Sequence, residues 1–149
     1  MKVKLVYTPI FNQKDGENIM PKYQTPGSAG FDFMANITEP LVLESGQIKI
    51  IKTGMKTALP HGYELQVRSR SGLAAKHGIF VFNSPGTIDE DYTNEIGVIL
   101  MNASNVPFTI EPGMRIAQGV LAKYEQCEWE LVDELLETDR KGGFGSTGN

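Results

Sequence analysis

The chain has 149 residues and a mass of 16.4 kDa, which suffices for one well-buried domain and is too little for two. Its formal charge of -4 and pI near 5.2 give no basic field to gather nucleic acid, so a polyanionic substrate would need local arginines or a metal ion. A single cysteine, Cys127, excludes an intrachain disulfide and a cysteine-based metal cluster, and no apolar stretch is long enough to span a membrane. With an N-terminus that lacks the apolar core of a signal peptide, these features predict a soluble cytosolic protein with no nucleic-acid or membrane partner.

Short runs rich in valine, isoleucine and tyrosine recur between glycine, proline and asparagine clusters, the pattern of an all-β sandwich or barrel of roughly ten strands. Alternation opens the chain from Lys2 to Tyr7. A Pro-Gly-Ser-Ala-Gly turn leads into a strand over Phe31 to Ala35, and Gln47 to Leu59 is long enough for two strands or for one bulged at Ile50-Ile51. Tyr63, Leu65 and Val67 alternate with Glu64, Gln66 and Arg68, which marks a strand with one wet face. Ser71 to Gly78 combines a capping serine, good helix formers and a terminal glycine, predicting one or two turns of helix. From Ile96 to Met101 every residue but Gly97 is apolar, so both faces should be covered, within a sandwich or by a second subunit. Gln118 interrupts an apolar run, where a buried amide needs partners. Trp129 alternates with Leu131 in a predicted strand, and Cys127 reads as packing.

Three segments carry candidate chemistry. At Arg68-Ser-Arg-Ser-Gly72 a strand ends and a helix begins, a junction whose free N–H groups favour anions and where Arg70 and Ser71 add donors. The same residues read equally as a helix cap beside solvated arginines. Ile88-Asp-Glu-Asp-Tyr92 is either an acidic hairpin facing solvent or a site for activating water or holding Mg²⁺; in extended geometry Asp89 and Asp91 share a face and Glu90 points away. The tail, Lys141 to Asn149, sets Phe144 among glycines and hydroxyls after Arg140: a ring to stack on a base beside groups that could hold an anion, or a disordered terminus. His61 and His77 each adjoin a glycine in turns and are assigned no chemistry.

In this order the segments resemble the homotrimeric dUTPase (deoxyuridine triphosphatase) family over nearly the whole chain. Its five motifs stand here as Ala29-Gly-Phe-Asp-Phe-Met-Ala35, Arg70-Ser-Gly-Leu-Ala-Ala-Lys-His-Gly78, Asn83-Ser-Pro-Gly-Thr-Ile-Asp-Glu-Asp-Tyr92, Gly113-Met-Arg-Ile-Ala-Gln118 and Gly142-Gly-Phe-Gly-Ser-Thr-Gly148. The resemblance implies a distorted jelly-roll or β-clip barrel with one short helix, residues 1–139, and a flexible glycine-rich arm, residues 140–149. It implies a homotrimer whose active sites draw motifs from all three subunits, in the cytoplasm, or in the host cytosol or nucleus for a viral source. The implied reaction is hydrolysis of dUTP to dUMP and pyrophosphate, which limits uracil in DNA and supplies dUMP for thymidylate synthesis.

Carried over by position, Asp89 is the general base for water attack on the α-phosphorus. Arg70, Ser71, Gly72 and Gln118 contact phosphates. Asn83, with the backbone of Gly86, Thr87 and Ile88, reads uracil, Tyr92 lies against the deoxyribose, and Gly97 offers a backbone contact. Arg140, Phe144, Gly145, Ser146 and Thr147 belong to the closing arm. Mg²⁺ is held mainly by the triphosphate, with Asp32 an outer-shell partner through water. Met114 replaces a common aspartate, Thr93-Asn94 a common arginine-glycine pair and Ser69 a common proline, and the tail is one residue short between Arg140 and Phe144. Two rivals follow from the same residues: a dCTP deaminase of the same fold, which would need a catalytic glutamate facing the base, and a nucleotide-sensing homologue without turnover.

Overall fold

The computed structural model describes residues 1–8, 10, 20–137 and 139. Among them, eleven strands pair in antiparallel fashion into four small sheets around one short helix. The strands are β1 (Lys4–Tyr7), β2 (Gly30–Met34), β3 (Leu41–Leu43), β4 (Ile48–Lys52), β5 (Met55–Ala58), β6 (Tyr63–Arg68), β7 (Ile79–Val81), β8 (Gly86–Ile88), β9 (Gly97–Asn102), β10 (Phe108–Ile110) and β11 (Arg115–Lys123), with α1 (Ser71–His77) between β6 and β7. The largest sheet runs β2-β11-β6-β8; a three-stranded sheet runs β4-β9-β7, and β1-β5 and β10-β3 close the ends. No helix among the described residues is long and apolar enough to cross a membrane.

Of the two readings of Gln47 to Leu59, two strands hold: the chain turns at Thr53-Gly54, where Gly54 takes a φ of +70°. The β9 run keeps Ile96, Val98 and Leu100 buried, whereas Gly97, Ile99 and Met101 are only part-covered within one chain. Two expectations are corrected. Residues 124–137 form no strand, and Trp129 and Leu131 stand 93% and 99% exposed, because no strand among the described residues pairs with them. Ser71 does not cap α1: Arg70 occupies the cap position without a side-chain cap bond, and Ser71 is the first helical residue. Gly78 does end the helix, at a φ of +68°.

Strand alternation builds the core. Phe33, Leu43, Ile51, Leu100, Ile110 and Ile116 are wholly or almost wholly buried between the sheets. Phe31 and Phe33 stack edge to face at 5.3 Å, and they lie so close to β11 that a Cβ on Gly119 would sit 2.6 Å from Phe31 Cζ. The buried polar Asn102 is satisfied: its Nδ2 donates to the Leu43 and Val106 carbonyls at 2.9 and 2.8 Å, and its Oδ1 accepts the Ser104 N–H. Since the Phe33 ring is fully enclosed, Phe33→Ala is expected to cost about 3–5 kcal/mol in urea unfolding. A loss below about 1 kcal/mol would show that the two aromatic rings do not organise this core.

Candidate active site

The outward face of the large sheet presents one polar row. In the β2-β11-β6 register Gln118 stands opposite Asp32 on one side and Arg68 on the other, so all three point to the same face. They share a cleft of about 450 Å³ with Arg70, Ser71 and Arg115. Asp32 is the hinge of the arrangement: Arg70 Nε lies 2.9 Å from its Oδ1 and Arg115 Nη1 3.3 Å from its Oδ2. Arg70 Nη1 also donates to the Arg115 carbonyl at 2.8 Å, tying the start of α1 to the start of β11. Gln118, half-buried, donates through Nε2 to the Ser69 carbonyl at 2.8 Å. Its amide therefore has the partner that the apolar run demands, and it braces the loop from β6 into α1. Three arginines against one carboxylate leave the cleft positive, with the first-turn N–H groups of Ser71 and Gly72 beside it.

Sequence reasoning gave Arg115 no role, because strict alternation puts it on the core side, opposite Gln118. The register shifts between Arg115 and Ala117, so Ile116 and Ala117 both turn inward, 2% and 0% exposed, and Arg115 joins the Gln118 face. Two successive apolar residues before a polar one are the signal that could have shown it.

The acidic segment forms a second cleft, of about 470 Å³, in which Thr87, Asp89, Glu90 and Asp91 meet Glu64 and Tyr124. Asp89 and Asp91 do not share a strand face as expected. β8 ends at Ile88, and the Tyr92 N–H bonds the Asp89 carbonyl at 3.2 Å, which bends residues 89–92 into a turn. Asp89 is exposed, and its carboxylate accepts no hydrogen bond from the described residues. Tyr92, 38% exposed, donates through its hydroxyl to the Glu95 carbonyl at 3.0 Å. Asn83 lies in the turn before β8, its Nδ2 3.1 Å from where a Cβ on Gly86 would stand, and Gly86, Thr87 and Ile88 are β8 itself, paired with Val67, Gln66 and Leu65. Gly97 opens β9 opposite Lys52, outside both clefts, with Ile50 Cγ2 2.7 Å from a would-be Cβ. Arg140, Phe144, Gly145, Ser146 and Thr147 lie outside the described residues.

His61 takes a part that its sequence context did not suggest. Its Nδ1 stands 2.9 Å from Glu90 Oε1, and the hydrogen bond to that carboxylate, with its charge, raises the His61 pKa above the ordinary 6.5. The bond from His61, then one from the Tyr124 side chain and the Gly62 N–H at 2.7 Å, lower the Glu90 pKa below its ordinary 4.5. His77 packs its ring on Phe108 at 5.1 Å.

A basic cleft on the face of an antiparallel sheet, with an exposed acidic turn on the same chain, describes an all-β protein equipped to handle a phosphorylated ligand. Comparison with known proteins agrees. The dUTPase family model matches residues 17–148. The chain is 48% identical over 149 residues to the deoxyuridine 5'-triphosphate nucleotidohydrolase of Orientia tsutsugamushi strain Boryong, covering 99% of this chain and 97% of the relative. It is 55% identical over 147 residues to that of Fusobacterium nucleatum, covering 98% and 99%. Among solved structures, the Staphylococcus bacteriophage 80alpha dUTPase with dUpNHpp superposes with a TM-score of 0.82 at 24% identity, covering 99% of this chain and 98% of that one. A variant of the phage phi11 dUTPase of S. aureus, described with a coordinated structural Mg(II) ion, gives 0.77 at 21%, covering 92% and 100%. The chain belongs to the dUTPase family.

Two predictions follow from the geometry. A Cβ on Gly30 would stand 2.8 Å from Gln118 Oε1, the movable end of a side chain. Gly30→Ala should therefore leave the fold intact, swing the amide from Ser69 and raise the KM for nucleotide several-fold; an unchanged KM would remove Gln118 from the phosphate cleft. The His61–Glu90 attraction is complete only where His61 is protonated and Glu90 ionised, from about pH 4.5 to 6.5, and it fades as pH rises through the raised His61 pKa or falls through the lowered Glu90 pKa. His61→Ala should thus lower the melting temperature slightly near pH 5.5 and not near pH 9, since so exposed a pair contributes little. Equal shifts at both values would contradict the ion pair.

Proposed function

We propose that the hydrolysis of dUTP to dUMP and pyrophosphate, the activity that family membership assigns to this chain, runs by in-line attack of water on the α-phosphorus with Asp89 as general base. The water oxygen bonds phosphorus, its proton passes to the Asp89 carboxylate, and the bond to the bridging oxygen breaks so that pyrophosphate leaves with the electron pair. The observation that carries this is the state of Asp89: an exposed carboxylate at the tip of a turn, with its oxygens unused by the described residues. Glu90, the neighbouring glutamate a deaminase reading could enlist, is engaged with Gly62 and His61 instead.

Arg70, Ser71, Gly72 and Gln118 hold the phosphates in the basic cleft, with Arg115 anchoring Asp32 beneath them. Asn83 and the backbone of Gly86 to Ile88 read the uracil edge, Tyr92 closes the space a 2′-hydroxyl would need, and Gly97 offers its backbone. Arg140, Phe144, Gly145, Ser146 and Thr147 then close over the nucleotide and exclude all water but the nucleophile. Among the described residues no three acidic, histidine or cysteine side chains are placed to hold a metal ion together, and Asp32 is shared by two guanidinium groups. That donor set would fit Mg²⁺ carried mainly by the triphosphate, with Asp32 the residue that would help hold it through water. When bound, the ion offsets the charge on the triphosphate and its leaving group.

The site is shared between copies. Asp89 follows Ile88, the partner of Leu65, whereas Arg70 follows the other end of β6; the four steps from Glu64 to Arg68 alone span roughly 13 Å at ~3.3 Å per residue. A general base must reach the attacking water within hydrogen-bond distance, so this separation favours a site that joins the Asp89 turn of one chain to the basic cleft of another. Supporting a homotrimer, Trp129, Leu131, Leu135 and Leu136 stand uncovered, as do Ile48 and Ile50 on β4. Asp89→Asn should abolish pyrophosphate release from dUTP with Mg²⁺ while preserving nucleotide binding measured by calorimetry. An Asn variant that turns over at the wild-type rate would refute the base assignment.

A further inference from the structure

The turn that carries Asp89 lies beyond the ladder of its own strand. β8 ends opposite Leu65, and the next tether downstream is Tyr92, through its hydroxyl to the Glu95 carbonyl. Glu95 is itself anchored, its Oε1 accepting the Gly54 N–H at 2.8 Å. Upstream of that anchor, only Glu90 among the described residues of the turn reaches back to the body of the sheet by its side chain. Its Oε2 accepts the Gly62 N–H at 2.7 Å and its Oε1 faces His61. Gly62 is a firm attachment point. It takes a φ of +80° in a turn closed by the Tyr63 N–H on the Pro60 carbonyl at 3.2 Å, and its own carbonyl accepts the Tyr124 N–H at 3.2 Å. One residue therefore joins the Asp89 turn to the end of β11, where the C-terminal segment departs.

We propose that Glu90 is a positioning residue for the hydrolysis: by gripping the Gly62 N–H it sets where the Asp89 carboxylate stands. The inference rests on the assignment of Asp89 as base, and it deepens that reading. A charged acceptor on a backbone N–H makes a short, strong bond, and Glu90 is only 27% exposed, whereas the His61 side chain on its other oxygen is 93% exposed and largely screened. The Gly62 bond is thus the grip, with the Tyr124 side chain at the end of β11 a second tether on the same carboxylate and the exposed His61 an auxiliary. Because the residues are adjacent, slackening Glu90 moves Asp89 by backbone rotation, and a misplacement of ~1 Å can cost as much as ~10²-fold in rate. Nothing in this role requires Glu90 to touch the substrate.

Two conservative variants separate grip from charge. Glu90→Asp keeps the charge and shortens the arm by one methylene, so it cannot span to Gly62; Glu90→Gln keeps the length and an acceptor oxygen but loses the charge. For folded protein matched by circular dichroism and melting temperature, Glu90→Asp should lower kcat about tenfold with KM for Mg-dUTP within about twofold, and Glu90→Gln should hold kcat within about threefold. Wild-type kcat in Glu90→Asp, or equal losses in both variants, would overturn the proposal. Asp89→Asn assayed alongside keeps the two readings apart: a fully active Asn variant defeats the base assignment itself, whereas an inactive one together with an unimpaired Glu90→Asp defeats the positioning role alone.

Discussion

A single carboxylate holds the basic cleft together. Asp32 accepts from Arg70 at the entry to α1 and from Arg115 at the entry to β11, and, with the Arg70 bond to the Arg115 carbonyl, this fixes both guanidinium groups. At 15% exposure Asp32 is sheltered enough for these charges to attract strongly, yet the cleft is open enough that they stay hydrated. The local excess of positive charge is then pre-arranged before any polyanion arrives, so little reorganisation is needed at the moment of reaction. In a protein of net charge -4 this cleft is a local inversion of the overall field, which is what the proposed binding of a triphosphate requires.

The rest of the large sheet serves that ion triad. The packing of Phe31 and Phe33 against Gly119 draws β2 and β11 together, which sets the register that puts Asp32 level with Gln118. The slip at Ile116 then delivers Arg115 to the same face, and the Gln118 amide braces Ser69 so that Arg70 leaves β6 at the right angle. Core packing and phosphate recognition are two faces of the same three strands.

Much of this was legible in the residues. Period-2 alternation located the strand from Tyr63 to Arg68, and an unbroken apolar run located the one around Ile96 to Met101. Helix α1 and its glycine terminus were readable from local chemistry alone. What escaped depended on pairing. Arg115 changes face through a bulge that exists only against β2, and Asp89 and Asp91 part because the Tyr92 N–H folds back on the Asp89 carbonyl. The His61–Glu90 contact joins residues 29 apart whose neighbours are unremarkable. The expected strand at Trp129 and Leu131 carries the right alternation, but a strand forms only by pairing, and among the described residues this segment pairs with none.

That unmet segment and the distance between the two clefts lead to the same claim: the acidic turn of one chain completes the basic cleft of another. The direct measurement is complementation. Asp89→Asn and Arg70→Ala chains, each inactive alone, are unfolded together, refolded as mixed assemblies and assayed for pyrophosphate release. Random mixing should recover about a quarter of the wild-type activity per site, since each site draws its turn and its cleft from different chains. Activity no greater than the sum of the separate variants would place both halves of the site in one chain and contradict the account.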